Sequence, residues 1–132
     1  MNKKILIIDD DADFVEIHRT VLESHGFAVR HAFTGKEGLA QALAEPPDLI
    51  LLDLMIEHAD TGFTVARKLK GDPATRGVPL LMLSGVIRET GMKFDLDSAE
   101  DRAWIKADLF LNKPIRSEEL VEKVTALLGE RH

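Results

Sequence analysis

Five polar side chains stand at or just beyond the ends of short apolar runs, and their chemical types suit phosphoryl transfer. They are Asp9, Asp10, Asp53, Ser84 and Lys113. Carboxylates that lie close together repel one another, and a cation among them removes that repulsion. Oxygen ligands in a chain without cysteine favour Mg²⁺, which keeps several waters and takes one or two carboxylates. A carboxylate beside such an ion can be a nucleophile, while the ammonium and hydroxyl groups contact the transferred phosphoryl group.

The apolar runs that precede these side chains alternate with helical patterns. Strands are predicted at Lys4–Ile8, Ala28–Ala32, Leu49–Leu52, Pro79–Leu83 and Leu109–Leu111. Helices are predicted to begin at the caps Asp11 or Asp13, Thr34, Thr61 and Ser117, with a further helix at about Ser98–Lys106. Strands that alternate with helices indicate an α/β fold with a doubly wound parallel sheet. Ligands of such sheets bind beyond the carboxyl ends of the strands, so the five polar side chains should meet at one edge.

The first predicted helix shows which residues should face the core. Its inward face is predicted to carry Phe14, Ile17, Val21 and Leu22. Gly26 is predicted to end the helix, because glycine is the usual residue just past a helix C-terminus. His18 and His25 are expected on the surface of this helix.

The motifs at the strand ends occur in an order that resembles one known family. They read Ile7-Ile8-Asp9-Asp10-Asp11, Leu51-Leu52-Asp53-Leu54-Met55, Leu83-Ser84-Gly85 and Leu111-Asn112-Lys113-Pro114-Ile115. With them the sequence resembles the receiver domains of two-component response regulators, the family that includes the chemotaxis regulators. The resemblance implies a flavodoxin-like strand order 2-1-3-4-5 with five helices.

The resemblance also implies a role for each residue of the metal site. Asp53 would be the phosphoacceptor and one of the Mg²⁺ ligands. Asp10 would ligate Mg²⁺ directly, and Asp9 would assist through a water molecule. Met55 would offer its backbone carbonyl to the metal.

The remaining residues implied by the resemblance concern the phosphoryl group and the response to it. Ser84 and Lys113 would contact the phosphoryl group, and Ser84 with Phe110 would form the conformational switch. The phosphoryl donor would be a histidine kinase or a histidine phosphotransfer protein. The output would be contact with another protein, whose identity the sequence does not indicate.

Two features depart from the family pattern. The loop after the phosphoacceptor is one residue longer than usual, and it carries Glu57 where the family usually has proline. Glu57 and His58 could therefore reach the site and change the lifetime of the phosphorylated state. Ser84 and Lys113 are 29 residues apart, which is several more than usual. The enlarged segment falls after the fourth strand, near Arg88–Ala99.

Several other interpretations remain open at this stage. Asp9–Asp13 could be a solvated helix entry with caps and nothing else. An EF-hand is disfavoured because Phe14 stands where the turn glycine belongs. The spacing of Asp9 and Asp11 fits a haloacid-dehalogenase-type phosphatase, an interpretation that leaves Asp53 unused. A pseudo-receiver would fold in the same way without being phosphorylated.

Length and charge exclude several other classes of protein. The chain has 132 residues, which fits one domain, so residues 1–132 are expected to form a single receiver domain without an output domain. With 23 acidic and 17 basic residues its net charge is −6, which disfavours nucleic acid as a partner. No apolar stretch approaches the 20 or so residues that a transmembrane helix needs, so a cytoplasmic protein is expected. The resemblance implies a protein that takes a phosphoryl group onto itself rather than an enzyme that acts on other substrates.

Overall fold

A computed structural model describes residues 3–53, 61–84, 109–112 and 115–129. Five strands lie within these ranges: β1 Lys4–Ile8, β2 Ala28–Ala32, β3 Leu49–Asp53, β4 Leu80–Ser84 and β5 Leu109–Asn112. Four helices lie within the same ranges: α1 Ala12–Ser24, α2 Gly35–Ala44, α3 Thr61–Gly71 and α4 Ser117–Gly129. None of these helices has the length and apolar character needed to span a bilayer.

The strands form one parallel sheet in the order β2-β1-β3-β4-β5. The predicted parallel sheet with the order 2-1-3-4 is confirmed, and β5 lies beyond β4 as an edge strand. In the register, Ile8 of β1 is level with Leu52 of β3, and Ser84 of β4 is level with Asn112 of β5. Asp53 of β3 is level with Leu83 of β4, so the carboxyl ends of the three central strands β1, β3 and β4 meet at one edge.

Helices cover both faces of the sheet, so the predicted double winding is confirmed. On one face α2 and α3 pack against alternate strand residues such as Leu6 and Ile8. On the other face α1 and α4 pack against the intervening residues, such as Ile5 and Ile7. All residues of β3 are buried, as expected for a strand whose two faces both contact helices.

The ends of the first helices agree with their sequence signals. Asp11 is the N-cap of α1, and its carboxylate accepts hydrogen bonds from the backbone N–H groups of Asp13 and Phe14. Gly26 follows α1 with a φ of 92°, a left-handed conformation that glycine adopts without a Cβ clash. The hydroxyl of Thr34 caps α2 by accepting a hydrogen bond from the N–H of Glu37 at 3.1 Å.

Three local predictions are wrong. Thr61 and Ser117 were predicted as caps, but each is the first residue of its helix. Ile17, predicted to face the core, keeps 57% of its surface exposed. The buried residues of α1 are instead Val15, His18 and Leu22. Because these three positions are three and four residues apart, they form one stripe of the helix, and Ile17 lies outside that stripe.

Two parts of the predicted architecture lie outside the described residues. They are the fifth helix at about Ser98–Lys106 and the enlarged segment near Arg88–Ala99.

The contact between α2 and β1 depends on Gly38. A Cβ atom added at Gly38 would lie 2.6 Å from Cδ1 of the buried Ile8 side chain. We expect Gly38→Ala to lower the free energy of unfolding by about 1–3 kcal/mol, because the extra methyl group overpacks a filled core. Urea unfolding measures this change.

Gly71→Ala is the matched control for this substitution. A Cβ at Gly71, the last residue of α3, would meet nothing within 4 Å. We expect Gly71→Ala to leave stability unchanged or to raise it slightly, because alanine is the better helix former. Equal stability of the two variants would contradict the close-packing argument for Gly38.

Candidate functional site: a carboxylate cluster at the sheet edge

Three carboxylates meet at the carboxyl ends of β1 and β3. Asp9 and Asp10 follow β1 directly, and Asp53 is the last residue of β3. One carboxylate oxygen from each of these residues lies within 4.8 Å of the others. We refer to Asp9, Asp10 and Asp53 as the aspartate cluster. Its convergence follows from the parallel register, in which β1 and β3 are neighbours and end at the same level.

The three carboxylates of the aspartate cluster differ in exposure and in local bonding. Asp9 is almost completely buried, its backbone N–H donates to the carbonyl of Ala32, and its carboxylate accepts from the N–H of Asp11 at 2.9 Å. Asp53 is also buried, whereas Asp10 is exposed. The site therefore has a fixed inner carboxylate, a buried central one and an outer one that faces solvent.

Asp11 belongs to the helix rather than to the site. Its carboxylate caps α1, and the aspartate cluster does not include it. Because a dehalogenase-type phosphatase would need Asp9 and Asp11 to act together, this geometry disfavours that interpretation. It also disfavours an EF-hand, which would need the alternate aspartates of this segment as ligands.

The donor set of the aspartate cluster fits Mg²⁺. Mg²⁺ prefers oxygen ligands and takes one or two carboxylates while it keeps several waters. One oxygen from each of the three residues lies within 4.8 Å of the others, close enough for the cluster to hold one ion. A divalent cation would also relieve the repulsion between carboxylates of which two are shielded from water. One oxygen of the Asp9 carboxylate accepts the backbone hydrogen bond from Asp11.

The other predicted site residues are described in part or not at all. The backbone of Ser84 ends β4, one residue beyond Leu83, which is level with Asp53 on the neighbouring strand. The backbone of Phe110 lies in β5. The side chains of Ser84 and Phe110 lie outside what the structure describes. The same holds for the whole of Met55, Glu57, His58 and Lys113.

The burial of one residue of α1 contradicts the sequence analysis. His18 of α1, expected on the surface, is only 5% exposed. Its ring lies against Phe14, with ring centroids 4.2 Å apart. Its Nδ1 atom shares a hydrogen bond of 3.2 Å with the hydroxyl of Ser117, the first residue of α4. Because Ser117 is 99 residues away along the chain, no local pattern could have revealed this contact.

Comparison with known proteins gives one family for nearly the whole chain. The family of response regulator receiver domains has a sequence model that matches residues 5–125 of this chain. The chain is 40% identical over 127 residues to the DNA-binding dual master transcriptional regulator RpaA of Synechocystis sp., a match that covers 95% of this chain and 48% of RpaA. It is 34% identical over 128 residues to the DNA-binding response regulator MtrA of Mycobacterium tuberculosis, covering 97% of this chain and 51% of MtrA. The chain thus spans about half the length of these relatives.

Solved structures give the same fold. A response regulator receiver domain protein (CheY-like) from Methanospirillum hungatei aligns with a TM-score of 0.83 and 28% identity, covering 98% of this chain and 96% of its own. The chemotaxis response regulator CheY4 of Vibrio cholerae aligns with a TM-score of 0.82 and 23% identity, covering 96% of this chain and 99% of its own. At that lower identity the likeness shows the fold alone.

Proposed function

The chain belongs to the response regulator receiver domains, and from this membership we propose that it accepts a phosphoryl group on Asp53 in a Mg²⁺-dependent reaction. The donor is a histidine kinase or a histidine phosphotransfer protein of a two-component system. The observation that carries the proposal is the aspartate cluster at the carboxyl ends of β1 and β3. Receiver domains are signalling modules, and this one passes its signal on by contact with another protein.

The position of Asp53 supports its role as the nucleophile. Among the three carboxylates it lies on the central strand β3, between β1 with its two aspartates and β4 with Ser84. One carboxylate of the cluster, Asp9, is held by the backbone of Asp11, and another, Asp10, is exposed to water. Asp53 thus has the metal ligands on one side and the hydroxyl-bearing strand on the other.

In the proposed transfer, a carboxylate oxygen of Asp53 attacks the phosphorus of a phosphohistidine. The O–P bond forms while the P–N bond breaks, and the electron pair of the P–N bond returns to the ring nitrogen of the departing imidazole. The product is an acyl phosphate on Asp53. A bound Mg²⁺ neutralises charge on the phosphoryl oxygens.

The other residues of the site bind and orient these groups. Asp10 would ligate the metal directly, Asp9 would do so through water, and Met55 would contribute its backbone carbonyl. Ser84 donates a hydrogen bond to a phosphoryl oxygen, and the ammonium group of Lys113 neutralises the charge on another. The support for these assignments is the match of the motifs to the family and, for Ser84, its backbone position at the end of β4.

Acetyl phosphate with Mg²⁺, followed by intact mass measurement, tests the proposed function. We expect the wild-type chain to gain a single phosphoryl mass, because acetyl phosphate supplies the same reactive group without a kinase. Chelation of Mg²⁺ with EDTA should prevent the gain, since two buried carboxylates would then repel the incoming anion.

Two alternative functions predict different results in this experiment. A pseudo-receiver would stay unlabelled with and without Mg²⁺. A phosphatase with an aspartate nucleophile would turn over phosphate esters, which a receiver does not. Either result would contradict the proposed function.

A further inference from the structure

We propose that His18 is a positioning residue for phosphoryl transfer. Its hydrogen bond to Ser117 fixes the start of α4 relative to the aspartate cluster. The proposal deepens the proposed function and rests on it. It starts from burial: the buried polar or charged side chains of the described residues are Asp9, Asp53, Thr75 and His18. Two of these belong to the aspartate cluster, so His18 and Thr75 need another explanation.

Thr75 has a local explanation. Its hydroxyl donates to the carbonyl of Leu69 at 2.6 Å, which ties the turn after α3 to the end of that helix. His18 differs because its partner lies on another helix. Within the stripe of α1 that faces the core, the residues before and after His18 are aliphatic. They are Val15 and Leu22, which pack in the core on this face of the sheet. An aliphatic residue at position 18 would complete this stripe, so the imidazole serves a purpose other than burial of apolar surface.

The contacts of His18 indicate that it fixes the position of one helix relative to another. Apolar packing between two helices tolerates small shifts of one helix along the other, whereas a hydrogen bond weakens steeply when its distance or angle changes. The 3.2 Å contact between Nδ1 of His18 and the hydroxyl of Ser117 therefore fixes where α4 begins relative to α1. The ring of Phe14 also contacts the imidazole, which limits the orientations the imidazole can take.

Each of the two helices that this hydrogen bond joins is connected along the chain to the proposed site. α1 begins at its cap Asp11, and the N–H of Asp11 donates to the carboxylate of Asp9 in the aspartate cluster. α4 begins four residues after Lys113, which the proposed function places at the phosphoryl group. The hydrogen bond of His18 thus joins the element that supports the carboxylates to the element that follows the lysine. Because transfer rates respond strongly to small displacements of positioned groups, loss of this bond should slow the reaction.

The test compares two variants that break the same hydrogen bond from opposite sides. His18→Phe keeps an aromatic ring against Phe14, and Ser117→Ala removes only the hydroxyl. We expect each variant to acquire the phosphoryl group from acetyl phosphate about fivefold to tenfold more slowly at saturating Mg²⁺. The double variant should be no slower than the slower single variant, because both substitutions remove one bond. The affinity for Mg²⁺ should stay close to that of the wild type, since the carboxylates remain held by β1 and β3.

Thr75→Val is the matched control, because it removes a buried hydrogen bond on the opposite face of the sheet while keeping the side-chain shape. We expect it to lower the thermal midpoint about as much as His18→Phe and to be phosphorylated at the wild-type rate. If His18→Phe does not fold, Ser117→Ala alone decides the question.

Each outcome has a distinct meaning. Wild-type rates for His18→Phe and Ser117→Ala would overturn the positioning role and leave the proposed function intact. Equal slowing of Thr75→Val would also overturn it, because the effect would then follow general stability. A wild-type chain that takes no phosphoryl group would instead overturn the proposed function.

Discussion

Replacement of Asp53 by alanine should abolish the phosphoryl gain that acetyl phosphate and Mg²⁺ produce in the wild-type chain. Asp53 is the carboxylate that lies between the two aspartates after β1 and the end of β4, so neither remaining carboxylate can take its place. The same substitution removes one of three mutually repelling carboxylates. The free energy of unfolding measured without Mg²⁺ should therefore stay equal or rise. Intact mass and urea unfolding measure the two effects.

Asp13→Ala is the control for this substitution. Asp13 is an exposed carboxylate in the first turn of α1, outside the aspartate cluster. It should be phosphorylated at the wild-type rate, with a loss of stability of at most about 1 kcal/mol from its interaction with the helix N-terminus. Labelling of Asp53→Ala at the wild-type rate would show that another residue, such as Asp9, is the acceptor.

Asp10→Asn should weaken Mg²⁺ binding about tenfold or more and largely abolish phosphorylation. The substitution keeps the shape of the side chain but removes the charge of an exposed ligand, and ligand charge is a main determinant of affinity for hard divalent cations. Stability without metal should stay equal or rise, because the repulsion within the aspartate cluster falls. Calorimetric titration with Mg²⁺ and thermal unfolding with and without Mg²⁺ measure these changes.

Comparison of Asp9→Ala with Asp10→Asn distinguishes a carboxylate that supports the fold from one that mainly binds the metal. The carboxylate of Asp9 is buried and accepts the N–H of Asp11, so its loss leaves that donor without this partner. We expect Asp9→Ala to lower the free energy of unfolding by about 1–3 kcal/mol, in contrast to Asp10→Asn. Normal Mg²⁺ affinity in Asp10→Asn, or unfolding of that variant, would contradict the ligand role of Asp10.

The sequence predicts those parts of the fold that depend on local signals. β1 and β3 are short aliphatic runs flanked by charged residues, and the structure has the same strands with only Asp53 added at the end of β3. The cap Asp11 and the terminating Gly26 of α1 are also local signals. The convergence of the aspartate cluster was predictable for a different reason. Neighbouring parallel strands end at the same edge, so residues at their carboxyl ends must approach one another.

The wrong prediction for His18 involves a contact between segments that are distant in sequence. Hydrophobicity alone places Ile17 inside and His18 on the surface, and the structure has the reverse. A histidine can be buried when a ring nitrogen has a hydrogen-bond partner, and here the partner is Ser117 on α4. Ser117 is not a cap because the first helical hydrogen bond of α4 runs from the N–H of Leu120 to the carbonyl of Arg116, one residue before Ser117. Likewise, only the fold distinguishes Asp9, Asp10 and Asp11, which are alike in type and adjacent in the chain but differ in burial and in bonding.

The charged residues that flank β1 and β3 also affect the chain before it has folded. Ile5–Ile8 and Leu49–Leu52 are short β-prone segments of the kind that associate with copies of themselves when exposed. Lys4 and Asp9 flank the first segment, and Asp48 and Asp53 flank the second. Charges at such positions oppose aggregation, so the carboxylates of the proposed site also protect the nascent chain. A variant without Asp53 would therefore be at least as stable once folded and, at the same time, more prone to aggregate while it folds.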